Sequence, residues 1–174
     1  MKYVQKTKDA KLTFKRQGVL GITGYCDSDW QSCIDTRRSN TGYVFLIGGA
    51  AVSWCSKRQR SVALASCEAE YVAAGEATRE LIWETTFMRE LGYSISTPII
   101  HMDSQSAVQL IHNPVFHDKS KHIQARMHYV RERALEGEVS FRKIKTDFNS
   151  SDSLTKGVNN AKTAFCRLGM GLIV

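Results

Sequence analysis

Four acidic residues stand where the sequence pattern points inward rather than to solvent, and together they would make a site for hard cations. Asp27 and Asp103 directly follow the apolar runs that end at Cys26 and Met102, which places each at the end of an extended segment. If those two segments are neighbouring strands, both carboxylates reach the same end of a sheet, although Asp after a strand is also the ordinary start of a turn. Glu70 is placed by helical geometry. At about 100° per residue, Ala73, Ala77, Leu81, Met88 and Leu91 share a stripe about 80° wide with Glu70 on its edge, whereas Glu68 points about 200° away. Glu68 is then a first-turn acid that suits the helix dipole. Asp152 opens a short helical stretch, where an N-cap role would serve equally well. Carboxylates that share one pocket repel strongly unless cations neutralise them, and oxygen-only ligands select Mg²⁺, with Mn²⁺ as a substitute. In a basic chain, such a pocket points to phosphodiester chemistry.

The elements that must position these acids can be read from periodicity. Val19 to Cys26, Thr41 to Ile47 and Ala51 to Ser56 read as three strands close enough to form an antiparallel meander. Ser66 can cap a long helix that runs to Gly92. Pro98 to Asp103 is a fourth strand, Ser104 to His112 a helix stopped by Asn113-Pro114, Ile123 to Glu136 a second long helix, and Val139 to Ile144 a fifth strand. Helical stretches around Asp152 to Gly157 and Asn160 to Leu168 close the chain. Three antiparallel strands followed by helix-linked ones predict an α/β domain with a five-stranded mixed sheet.

Composition narrows the class. Of 174 residues, 43% are hydrophobic and 24% charged, so a folded domain is expected rather than disorder. No apolar run approaches a membrane span and no apolar block follows the first positive charges, so neither secretion nor a membrane partner is expected. The five cysteines, Cys26, Cys33, Cys55, Cys67 and Cys166, lack CxxC spacing and read as reduced packing residues in a cytoplasmic protein. The formal charge of +7 makes a polyanionic partner plausible.

The stretches GYCDSDW, DTRRSNTGYVF, VSWCSKRQ, SCEAEYVA, HMDSQSA, NPVFHDKSKHI and SDSLTKG, in that order, resemble the ribonuclease H domain of copia-type LTR retrotransposon polyproteins. Residues 1–18 are similar to the tail that joins the upstream reverse transcriptase to this domain, and residues 19–174 to the domain itself. The resemblance implies a ribonuclease H-like fold with helices on both faces of the sheet. It also implies Mg²⁺-dependent hydrolysis of the RNA strand of RNA/DNA hybrids through two ions, in the cytoplasm or within virus-like particles. The family's catalytic, metal-holding acids fall on Asp27, Glu70, Asp103 and Asp152, with Asp29 a near competitor for the first position. Ser28, Ser66, Ser104 and Gln105 would then contact the sugar and phosphate, and the 2′-hydroxyl contact distinguishes RNA from DNA. Two departures matter: residues 146–151 hold no His of the kind found in cellular ribonucleases H, and no Lys- and Arg-rich helix separates the two middle helices.

Other features have plainer readings beside the functional ones. Arg37 and Arg38, and the run Lys57, Arg58, Gln59, Arg60, could hold DNA-strand phosphates or simply be solvated. His112, His117 and His122, spaced by five, fit no zinc pattern, and His128 has no evident role. Trp54, Trp83 and Phe87 are expected in the core. A ribonuclease H-like spacer that has lost catalysis is the competing reading, though it would have no need of four inward acids. A transposase or integrase on the same fold would want its Glu after both Asp positions, whereas Glu70 precedes Asp103.

Overall fold

The computed structural model describes residues 4–5, 7–16, 19–113 and 121–173, with the backbone alone for 121–126. Its strands are β1 (Lys11–Leu12), β2 (Ile22–Asp29), β3 (Asn40–Ile47), β4 (Ala50–Arg58), β5 (Ile99–Met102), β6 (Ser140–Lys143) and β7 (Leu172–Ile173). Its helices are α1 (Ser66–Glu90), α2 (Gln105–His112), α3 (Lys121–Leu135), α4 (Asp152–Thr155) and α5 (Asn160–Gly169). Strands β2 to β6 form one mixed sheet in the order β4-β3-β2-β5-β6, with β2–β3 and β3–β4 antiparallel and β2–β5 and β5–β6 parallel.

The antiparallel meander follows from tight turns. Gly48 and Gly49 take φ of 61° and 77°, which only glycine adopts freely, and so reverse β3 into β4 within two residues. The parallel β5 needs a crossover, which α1 supplies. That helix begins without a side-chain cap, because Ala65 is the cap residue and Ser66 is already inside. The expected Ser66 cap is therefore absent: Glu68 Oε2 instead accepts from the Leu64 N–H at 3.0 Å. Gly92, at φ 86°, ends the helix in a left-handed cap, with the Tyr93 N–H bonded to the Met88 carbonyl.

Alternation along β2 divides its neighbours between two faces. Cys26 joins the core beneath α1, where Ile22, Phe45, Leu81, Ile100, Met102 and Val130 are buried. Asp27 lies toward the face that α4 covers, since Thr155 of α4 donates to its carboxylate. Close approach of α4 depends on Gly42, the β3 partner of Asp27: a Cβ there would lie 2.7 Å from Thr155 Cγ2 and 2.9 Å from Leu154 Cβ. Tyr71 Oη donates to the Met127 carbonyl at 3.1 Å, so α3 backs α1 from outside.

The structure corrects several readings. The first strand begins at Ile22 rather than Val19 and runs two residues past Asp27, because β3 pairs with it through Asp29. Trp54, Trp83 and Phe87 are not core residues: they are 65%, 60% and 45% exposed, and Trp83 stacks flat on Phe87 at 5.5 Å between ring centroids. One turn apart, they satisfy each other on the outer side of α1. Leu91, placed in the buried stripe, is also exposed. The ladder of β1 with β7 was not anticipated, since two-residue strands carry no period. The segment 114–120, with His117 and the loop that bears on the missing basic helix, lies outside the described residues, as does the His122 side chain.

Farther along α1, Glu84 is buried and neither of its carboxylate oxygens has a hydrogen-bond partner among the described residues. The nearby Ser53 hydroxyl donates to Glu80 instead, at 2.7 Å. Burial, against the pull of the nearby Ser53 hydroxyl and with Glu80 adding repulsion, pushes the Glu84 carboxyl up to about 7. The folded chain therefore holds this proton more tightly than the unfolded chain, so the stabilisation is complete below about 4.5 and disappears as pH rises through about 7. Glu84→Gln should flatten the fall of Tm over that window, as thermal melts at stepped pH would record; an unchanged slope would show that Glu84 is solvated.

Candidate active site

Parallel pairing of β2 with β5 puts Cys26 beside Met102, so Asp27 and the next residue after β5, Asp103, emerge side by side at one end of the sheet. Asp152 arrives from the first position of α4. Asp27, Asp103 and Asp152 each offer a carboxylate oxygen, and these oxygens lie within 4.8 Å of one another. Asp27 and Asp152 are buried and Asp103 is half-buried. Asp29 lies at the strand end opposite Asn40 and is not in the cluster.

Glu70 does not join that triad at the same distance, so the single pocket of four equivalent carboxylates becomes three aspartates with a glutamate beside them. Its Oε1 accepts from the Ser28 N–H at 3.2 Å, which ties α1 to β2 next to Asp27. Burial, with the charges of Asp27 and Asp103, pushes the Glu70 carboxyl well above the ordinary range. Burial likewise raises Asp27 to about 6, against the pull of the Thr155 hydroxyl and the Lys156 ammonium. Glu68, buried elsewhere at the helix start, holds the loop at Leu64.

Sequence reasoning missed the groups that hold this cluster. Asn149, fully buried, donates through Nδ2 to the Cys26 carbonyl at 3.0 Å, and its Oδ1 accepts from the Ser151 hydroxyl at 2.7 Å. It pins the start of α4 to β2. Lys156 Nζ lies 3.4 Å from Asp27 Oδ2 and 3.2 Å from Asp152 Oδ1, the latter without hydrogen-bond alignment. Lys162 Nζ lies 2.9 Å from Asp152 Oδ2 and donates to the Thr146 and Asp147 carbonyls. Thr155 and Lys156 belong to the SDSLTKG stretch, so a signal for them existed; Asn149 sits in a polar stretch that reads as a loop.

The remaining candidates are distributed around this centre. Ser28 is buried, while Ser66, one turn before Glu70, and Gln105, the first residue of α2, are exposed. Ser104 caps α2, its Oγ accepting from the Ala107 N–H at 3.2 Å. Arg37 and Arg38 are exposed in the β2–β3 loop, with Arg37 in the left-handed region at φ 54°. A separate cavity of about 190 Å³ is lined by Thr41, Lys57, Arg58, Gln59, Arg60 and Arg79, among others. Lys57 and Arg79 pair with Glu76, whereas Arg58 and Arg60 have no ion pair among the described residues. Gln59, buried, fixes its floor by donating to Thr41 Oγ1 and the Ala69 carbonyl. Of the histidines described, His112 and His128 are exposed and outside any metal-capable cluster.

No family model matches the chain. The Pol polyprotein of transposon TNT 1-94 from Nicotiana tabacum is 39% identical over 172 residues, 99% of this chain and 13% of that polyprotein. The Pol polyprotein of transposon RE2 from Arabidopsis thaliana is 34% identical over 157 residues, 90% of this chain and 11% of its own length. The fold is shared with LC11-RNase H1, solved with an RNA/DNA hybrid: TM-score 0.54 at 19% identity, over 77% of this chain and 93% of that one. The chain corresponds to a segment of copia-type retrotransposon Pol polyproteins and has the ribonuclease H fold. As in the expectation from the motifs, the domain has a five-stranded mixed sheet with helices, and it spans only about an eighth of the polyproteins it matches.

The donor set of the domain fits divalent ions. Glu70 Oε2 and Ser28 Oγ are buried without hydrogen-bond partners among the described residues, and Asp152 Oδ1 has only the poorly aligned Lys156 ammonium at 3.2 Å. Bare oxygens beside three clustered carboxylates are costly unless a cation completes them. Mg²⁺ should therefore raise the Tm of the domain by mass action. Asp103→Asn should raise the Tm of the ion-free protein and shrink the Mg²⁺ effect, because one repelling charge is gone. Melting curves with and without Mg²⁺ for both proteins check this, and a wild-type Tm indifferent to Mg²⁺ would count against a shared site.

Proposed function

We propose that the domain is a metal-dependent endonuclease that hydrolyses the RNA strand of RNA/DNA hybrids during reverse transcription of a retrotransposon. The observation that carries this reading is the triad of Asp27, Asp103 and Asp152 at the end of two parallel strands, with Glu70 beside it. The relatives' Pol polyproteins and the fold shared with an enzyme solved on a hybrid support the same class of substrate.

Two bound Mg²⁺ ions would supply an activated water and charge stabilisation at the phosphorus and leaving oxygen. Asp27, Asp103 and Asp152 would hold them, with Glu70 adding its free Oε2. Thr155 orients the Asp27 carboxylate by donating to Oδ2. Asn149 keeps the Asp152 helix in register with β2. Ser28, Ser104 and Gln105 would meet the sugar edge, where the 2′-hydroxyl is read, and Ser66 a neighbouring phosphate. Arg58 and Arg60, facing the cavity beyond Thr41, would hold phosphates of the DNA strand, and Arg37 and Arg38 lie exposed near the same sheet end. The partner upstream would be the reverse transcriptase of the same polyprotein, in the cytoplasm or a virus-like particle. Among the described residues no helix is long and apolar enough to cross a membrane.

Glu70→Gln should reduce cleavage of a labelled RNA/DNA hybrid by about 10²-fold or more while the melt stays cooperative. Glu68→Gln should leave the rate near wild type and cost at most roughly 1 kcal/mol of stability, because the Gln side-chain oxygen can still accept from the Leu64 N–H and only the negative charge at the helix start is lost. The opposite order of effects would put the wrong helix acid in the site, and RNA/RNA and DNA/DNA duplexes serve as controls.

Hybrid affinity should fall steeply with salt. Arg58→Ala and Arg60→Ala should each flatten the slope of log affinity against log salt by about 1 without changing the preference for hybrid over DNA duplex. Salt titrations of binding that show no change in slope would assign these arginines to the solvated surface.

A further inference from the structure

We infer that Lys156 is a built-in counter-cation of the acid pocket, which holds Asp27 and Asp152 together in the ion-free domain and leaves them when divalent ions enter. The inference rests on the metal-dependent reading above and adds to it a residue that must move.

Among the described residues two lysines pair with the clustered carboxylates, and they are held differently; Lys143 donates to the Asp103 backbone carbonyl instead. Lys162 lies 2.9 Å from Asp152 Oδ2, its side chain only 16% exposed, and it also donates to two backbone carbonyls, Thr146 at 2.6 Å and Asp147 at 2.9 Å. Those carbonyls come from the turn before α4, so Lys162 is a structural brace that has reason to stay. Lys156 has no such backbone acceptor among the described residues. Its ammonium spans 3.4 Å to Asp27 Oδ2 and 3.2 Å to Asp152 Oδ1, and its side chain is 36% exposed. It sits on the very oxygens a metal would use, poorly aligned with one of them, and it has a path to solvent.

The local fold explains its position. Helix α4 is one turn long, so Lys156 follows Asp152 by four residues and meets it across that turn. Its backbone is extended, at φ −144° and ψ 159°, which lets the side chain turn back over the pocket. Thr155, the residue before, already fixes the other end of the pair by donating to Asp27. With the ammonium gone, Asp27 would keep only the Thr155 hydroxyl and Asp152 only Lys162 against their mutual repulsion; with divalent ions present, a monovalent ammonium on the same oxygens would be repelled. A counter-cation that can leave resolves both states at the cost of some metal affinity.

The test follows the lysine itself. In the ¹⁵N-labelled wild-type domain, the Lys156 side-chain ammonium should give an observable, slowly exchanging NMR signal without ions. That signal should weaken or move to the position of a solvated lysine as Mg²⁺ saturates, while the Lys162 signal persists. By calorimetry and melting, Lys156→Met should lower the ion-free Tm and bind Mg²⁺ more tightly, by about fivefold. Lys156→Gln serves if the Met variant does not fold. A Lys156 signal unchanged at saturating Mg²⁺ overturns the inference and leaves the metal site standing. No detectable Mg²⁺ binding in the wild type overturns both.

Discussion

Like charges do not gather at the end of a sheet by accident of packing, because each added carboxylate raises the free energy of those already there. Here the gathering is forced by backbone hydrogen bonding: the parallel register that sets Cys26 beside Met102 also delivers Asp27 and Asp103 to one point. Everything around that point can be understood as a response. Asn149 clamps the incoming α4, Gly42 leaves room for it, Thr155 gives Asp27 a donor, and two lysines supply charge. The strain is electrostatic rather than conformational, and none of the four acids adopts a left-handed backbone conformation.

Burial and charge interact in a graded way across the cluster. Burial pushes up the carboxyls of Asp27, within the strand, and Glu70, on the inner side of α1. Asp103, one residue past its strand, is half-buried and stands at the mouth. The site therefore has a dry interior and a wet rim, the arrangement in which a cation gains most from the interior oxygens while its exchange with water proceeds at the rim.

Much of this was legible before any coordinates, because it depends on period and on strand ends. The order of strands and helices and the mixed sheet follow from period and strand ends, and the stripe of Ala73, Ala77 and Leu81 puts Glu70 on the inner side of the helix, whereas the burial of Glu68 in the first turn did not follow from that stripe. What escaped was decided by tertiary neighbours. Trp83 and Phe87 have core composition yet lie on the side of α1 that nothing described covers, so each buries part of itself on the other. Ser66 has a capping side chain, but the helix starts one residue earlier and Glu68 takes the nearby donor. Asn149 looks like any loop asparagine until the Cys26 carbonyl, 123 residues away in sequence, is seen to need it.

The ladder between β1 and β7 has a mechanical meaning. Lys11 faces Ile173 and Leu12 faces Leu172 in antiparallel register, so the chain enters and departs at one spot on the surface. A tension applied through the two ends would peel this two-residue zipper one rung at a time rather than shear it. The five-stranded sheet would carry no load until those rungs had opened. Force on the two strands would be spent on this zipper first, while the spacing of the acids stays as folding left it.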